Sequence, residues 1–181
     1  MYQTGLTIKD ALTSVSNNLY VLPAIQREFV WDDEQICRLF DSLMQGYPFG
    51  TFLFWKVEPE RSGDFKFFGF VQNYHERERP HCPELGTLPN RELTAVLDGQ
   101  QRLTALNIGL RGSTARKEPY KRRNNPHAYP EKILHLDLFA EHGEDEEGEA
   151  YCFRFLEPAK AQAAEDSLWY PVPDILQMSN T

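Results

Sequence analysis

Asp98-Gly99-Gln100-Gln101-Arg102 places a carboxylate, two carboxamides and a guanidinium around one glycine. A guanidinium is a planar fork of donors that matches a phosphate, and a carboxylate can bind Mg2+ or orient water. The two glutamines can position a nucleophilic water without adding charge. The run Leu93-Thr94-Ala95-Val96-Leu97 before it is apolar and of strand length, while Leu103, Leu106 and Leu110 after it recur at helical spacing, with Gly112 placed to stop the helix. A strand is therefore expected to deliver the polar residues into the first turn of a helix. There the backbone N–H groups and the helix dipole attract an anion, for which a nucleotide phosphate is the natural candidate. The same spacing also fits a simpler arrangement in which Asp98 pairs with Arg102 one helical turn on and the motif only caps a helix.

The elements that must position this turn can be read along the chain. Thr7 is expected to cap a helix to about Ser16, with Ile8, Ala11, Leu12 and Val15 on one face. Leu19 to Leu22 reads as a strand stopped by Pro23. Asp32 opens a second helix, with Gln35 three residues on as in a capping box and Ile36, Leu39, Phe40 and Leu43 as its apolar stripe, ending at Gly46. Thr51 to Val57 is apolar on both faces and predicts a strand interior to a sheet, followed by a strand at Phe65 to Val71. Residues 72–91 are polar and proline-containing and predict a long loop, as does 112–130. Ile133 to Phe139 and Tyr151 to Phe155 predict the two arms of a hairpin with an acidic tip, and Asp174 is a cap for a terminal helix. Helices interspersed with short strands point to an α/β or α+β sheet of mixed direction, in one domain spanning 1–181.

The 181 residues are 41% hydrophobic and 13% aromatic, which is inconsistent with a disordered chain. No run approaches the roughly 20 apolar residues that cross a bilayer, and a cytoplasmic location without membrane contact is expected. Cys37, Cys82 and Cys152 lack the paired spacing of zinc or redox sites, and His81-Cys82 reads as loop rather than ligand. A net charge of −8 argues against a domain whose main work is coating a nucleic-acid backbone. The charge is uneven, however. Arg111, Arg116, Lys117, Lys121, Arg122 and Arg123 crowd one segment, and Glu141, Glu144, Asp145, Glu146, Glu147 and Glu149 another. Each reads as a solvated loop, with DNA contact through Arg111–Arg123 as the alternative for the basic one.

A second constellation precedes the turn: Leu22-Pro23-Ala24-Ile25-Gln26-Arg27-Glu28-Phe29-Val30-Trp31, then the helix from Asp32, then Gly46-Tyr47-Pro48-Phe49-Gly50-Thr51. In order and spacing these motifs together resemble the N-terminal domain of GmrSD-type modification-dependent restriction enzymes, whose signature is D-G-Q-Q-R. That domain is part of the ParB/sulfiredoxin-like fold group, whose G-x-x-R motif is matched by Gly99-Gln100-Gln101-Arg102 and whose upstream glutamine element is matched by Gln26. The resemblance implies a small mixed sheet flanked by helices, and nucleoside triphosphate binding and hydrolysis with Mg2+ as the accompanying ion. It further implies coupling to cleavage of modified phage DNA by a C-terminal HNH-type nuclease, for which 181 residues leave no room. The chain is thus expected to be the N-terminal part of a longer protein or a stand-alone version.

Residue by residue, the resemblance makes Asp98 a catalytic or Mg2+-orienting carboxylate, with Gln100 and Gln101 shaping the site. Gly99 and Arg102 become phosphate ligands, and Gln26 and Arg27 approach from the neighbouring segment. Read without the family, a buried pair of Arg27 with Glu28 or Asp98 fits as well as a phosphate contact, and Phe29 and Trp31 are core residues before they are base-stacking ones. Two other functions remain open: a DNA-phosphate reader or metal-dependent nicking site at the same turn, and an interaction module without turnover. Self-association is also open.

Overall fold

The computed structural model describes residues 5–25, 28–140 and 148–178. Gln26 and Arg27, and Glu141 and Glu144 to Glu147 of the acidic run, lie outside the described residues. The chain divides into two compact units. The first comprises residues 1–30, 50–71 and 81–107, the second 31–49, 72–80 and 108–181.

Local signals explain where the elements begin. The helix α1 (Ile8–Ser16) starts at Thr7, whose hydroxyl accepts from the Asp10 N–H while the Asp10 carboxylate accepts from Thr7 N–H. In the same way α2 (Asp33–Met44) starts at Asp32, reciprocally bonded with Gln35. Such pairs satisfy N–H groups that a helix start leaves without an acceptor. Between the helices lies β1 (Tyr20–Pro23), which takes in the proline expected to end it.

Further along come β2 (Leu53–Val57), β3 (Phe67–Phe68), β4 (Asn73–His75), β5 (Glu84–Gly86) and β6 (Leu93–Asp98). The first unit is built on a five-stranded sheet in the order β2-β6-β1-β3-β5. The central pair β1/β6 is parallel, with Val21 opposite Ala95, and the other pairs are antiparallel, so the sheet is mixed as expected. Its core gathers Val21, Val57, Phe67, Leu93 and Ala95, with Trp55, Phe65, Leu85 and Leu88 packed on them.

β2 is an edge strand, and Leu53 is exposed. Its continuous apolarity suggested an interior position, but Phe54 and Trp55 use those side chains for aromatic contacts with Tyr20 of β1 and with Phe65 just before β3 (ring centroids 5.1 Å apart in each pair). The strand expected over Phe65 to Val71 shrinks to two residues, and the supposed loop 72–91 contains β4 and β5.

The helix α3 (Gln100–Arg111) is buried on every side from Leu103 to Leu110, and the boundary between the units falls within it. In the second unit, β7 (Ser113–Ala115) pairs in parallel with β4, so residues 112–130 are not all loop either. β8 (Ile133–Asp137) and β9 (Phe153–Leu156) form the expected antiparallel pair, and β10 (Trp169–Pro171) adds to the other side of β8. Before β10 comes a short helix, α4 (Pro158–Gln162). A 3-10 helix over Val172–Gln177 replaces the expected helix capped by Asp174, which lies inside it.

α2 packs on this second sheet, its Phe40 ring 5.8 Å from that of Phe153. Buried Asp41 accepts from the N–H groups of Ala150 and Tyr151 (3.0 and 2.8 Å) and from the Gln45 amide (2.6 Å), fixing the entry to β9. Burial and the nearby Asp33 and Glu149 push the Cys37 thiol up to about 12, so it behaves as a small apolar side chain.

Candidate functional site at the start of α3

The signature turn joins β6 to α3 in the first unit. Gly99 sits at φ +85, where side-chain-bearing residues are disfavoured, and its carbonyl accepts the first helical bond from Leu103 N–H at 2.9 Å. A methyl group there would also lie 2.4 Å from Cδ1 of Phe52. The glycine is required twice over, by backbone conformation and by the ring against it.

Arg102 lies across the turn. Its Nη2 donates to the Thr51 carbonyl at 2.7 Å, its guanidinium sits 5.1 Å from the centroid of the Phe52 ring, and its side chain is 19% exposed. Gly50 admits it, since a Cβ at that position would lie 1.9 Å from Nη1. The Asp98 carboxylate is 3.7 Å from Nη2 and 70% exposed. This is a loose pair in high dielectric, of the kind worth about 0–1 kcal/mol. The cap-only arrangement is thus present in geometry, but the carboxylate stays open to solvent.

The two glutamines part company. Gln101 reaches the upstream element: its Oε1 accepts from Val30 N–H at 3.0 Å and its Nε2 donates to the Glu28 carbonyl at 2.8 Å. Both ends of the amide hold the chain just after Gln26 and Arg27. The same segment is held from another side, where Glu28 meets His81 Nδ1 at 2.7 Å and Phe29 is buried. Burial raises the Cys82 thiol against backbone hydrogen bonds with Phe29 and Val71. The spacing of His81 and Cys82 suggested nothing beyond loop, and their contacts with residues 28–29 depend on the fold.

Gln100 points its Oε1 into a solvent-shielded position where no described residue donates to it, while its carbonyl accepts from the Thr104 hydroxyl at 2.8 Å. Among the described residues no three His, Cys, Asp or Glu side chains gather to hold a metal. Asp98 is the carboxylate of the turn, a donor set that fits Mg2+ held mainly by phosphate oxygens and water rather than by a protein cage.

The turn, its clamp on residues 28–30 and the sheet that carries them match a known sequence pattern. The profile of the GmrSD restriction endonuclease N-terminal domain covers residues 8–170. The chain belongs to this family. The match runs through both compact units. An uncharacterised protein of Methanocaldococcus jannaschii is 34% identical over 108 residues, which are 60% of this chain and 17% of that protein. The matched stretch is therefore a small part of that relative. As a GmrSD N-terminal domain, the chain has a mixed α/β fold, and none of its described helices is long and apolar enough to cross a membrane.

The structure places Asp98, Gly99 and Arg102 together at the turn, whereas Gln101 commits both ends of its amide to residues 28 and 30 and Gln100 turns its oxygen inward. It adds Gly50 and Thr51, which the upstream constellation contained without a role at this turn, and Phe52. Phe29 is 6% exposed and so belongs to the core, while Trp31 is partly buried.

Proposed function

We propose that the β6–α3 turn binds the phosphates of a nucleoside triphosphate, and that the domain hydrolyses it as the nucleotide-responsive part of a restriction system acting on DNA. The observation that carries this reading is the convergence, at one helix start, of the Gly99 turn, a guanidinium fixed across it and an exposed carboxylate 3.7 Å from that guanidinium. The helix start and Arg102 supply positive potential for a phosphate, Arg102 as a pre-positioned fork. Asp98 is free to orient water or to share a Mg2+ ion with the phosphates; when bound, that ion neutralises phosphate charge. The Gln100 oxygen offers an acceptor for a ligand hydroxyl or water. Gln101 acts by holding residues 28–30, and Gln26 and Arg27 complete the phosphate ligands from the segment so anchored.

Calorimetric titration of the chain with ATP or GTP in Mg2+ tests this. Arg102→Ala is expected to abolish binding. Because Arg102 also bonds Thr51, thermal unfolding of the variant is measured alongside. Asp98→Asn, at an exposed position, is expected to keep the fold and nucleotide binding and to lower turnover at least tenfold. Equal binding by folded Arg102→Ala and the wild type overturns the proposal.

A further inference from the structure

The second unit carries a different kind of turn. Residues 111–132 hold seven Lys or Arg against two Glu, in a chain of net charge −8. Part of this charge is spent internally. Arg116 donates to Asp33 (2.7 Å) and to the Trp31 carbonyl (2.6 Å) and lies 4.5 Å over the Tyr74 ring, while the Lys117 ammonium bonds the carbonyls of Glu118 and Lys121. What remains outward is the tip. Lys121 N–H donates to the Glu118 carbonyl at 3.4 Å, closing a turn with Pro119 and Tyr120 at its centre and Arg122 and Arg123 exposed after it.

Tyr120 has φ +64. A turn with positive φ at its second central residue is of type II, in which proline is common at the first central position and the second is ordinarily glycine. Two other described non-glycine residues share this sign, Asn18 and Asn90, and asparagine tolerates it. Tyrosine does not, and here its ring is wholly in solvent, so no packing offsets the strain. The turn is nonetheless held firmly from below. Glu118 N–H bonds the Ala128 carbonyl, the Tyr129 hydroxyl donates to the Arg123 carbonyl at 3.0 Å, and Arg77 Nη1 reaches that same carbonyl at 3.5 Å while its guanidinium lies over the Tyr129 ring. A rigid, strained turn thus presents one bare aromatic ring beside two exposed arginines that form no ion pair among the described residues.

We propose that this tip, Tyr120 with Arg122 and Arg123, is a contact surface for single-stranded nucleic acid, the ring stacking on a base and the guanidiniums meeting adjacent phosphates. Every base has a π-face, and arginines beside an aromatic platform are the chemistry that holds an unpaired strand. In a duplex the bases are stacked on one another and the ring has no partner. The inference does not rest on nucleotide binding at the β6–α3 turn.

The test is fluorescence anisotropy of the full chain with labelled mixed-sequence single-stranded DNA, single-stranded RNA and duplex DNA across a salt series. Either single strand is expected to bind more tightly than duplex, and whichever is preferred names the source. Two phosphate contacts give a log–log salt slope of about −1.4. Tyr120→Phe is expected to bind as the wild type, Tyr120→Gly about tenfold more weakly, and the double variant Arg122→Ala/Arg123→Ala more weakly with a flattened slope. Because glycine suits the backbone at this position, weak binding by Tyr120→Gly cannot come from misfolding. Unchanged affinity in Tyr120→Gly, or duplex bound as tightly as single strands, overturns the proposal.

Discussion

Gly99 and Tyr120 both hold the chain at positive φ, and they do so at opposite cost. At Gly99 the residue type suits the backbone, a ring fills the space where a side chain would stand, and the neighbouring guanidinium is fixed by a carbonyl. At Tyr120 the residue type opposes the backbone, and the side chain touches solvent only. The first turn is consistent at every level of structure. The second keeps a local conflict that a single substitution would remove, and conflicts of that kind gather where a surface is used rather than where a fold is built.

The contrast can be broken at its strongest point by Gly99→Ala, which combines an unfavourable φ with a methyl group driven into Phe52. It is expected to destabilise the protein by about 2–4 kcal/mol, read from chemical denaturation. An effect below 1 kcal/mol would mean that the turn relaxes freely and that the glycine is not required. Gln101→Ala probes the same turn through its clamp. Losing both amide hydrogen bonds to Glu28 and Val30 is expected to cost about 1–2 kcal/mol and to speed amide exchange at Val30, while strands β8 and β9 keep their protection. The smallest effect has the opposite sign. Tyr120→Gly is expected to raise stability by up to about 1 kcal/mol, net of glycine's greater unfolded-state freedom, visible as an upward shift of the thermal midpoint. A loss of stability there would show that the ring contributes to the fold and would erase the difference between the two turns.

How much of this could be read from the chain depends on the range of each interaction. The cap at Thr7 and the capping box at Asp32 act within three residues, so residue type alone carried them, and the same holds for the strand, glycine and helix around Asp98–Arg102; that Asp10 answers Thr7 was added by the structure. The short strands β4 and β7 pair Asn73 with Ser113, forty positions apart, and each is too brief to show a period of its own. Their residues therefore read as loop. The edge position of β2 escaped for a related reason: an apolar run reports that side chains find partners, but not whether a second strand lies beyond.

The candidate site divides along the same line. Its membership at Asp98, Gly99, Gln100 and Arg102, and the family to which those residues point, followed from residue type and order alone, because the strand-to-helix turn is a local structure. That Arg102 rests on Thr51 and Phe52, that Gly50 makes room for it, and that Gln101 spends its amide on residues 28 and 30 was decided by the tertiary fold. The sequence separations there are fifty residues or more, and only the pairing of β2 with β6 and the packing of the first unit bring those groups together. Likewise the basic run of residues 111–123 was visible as charge. Which cations are consumed internally and which face solvent beside Tyr120 was settled by where Asp33, Tyr74 and Arg77 come to lie.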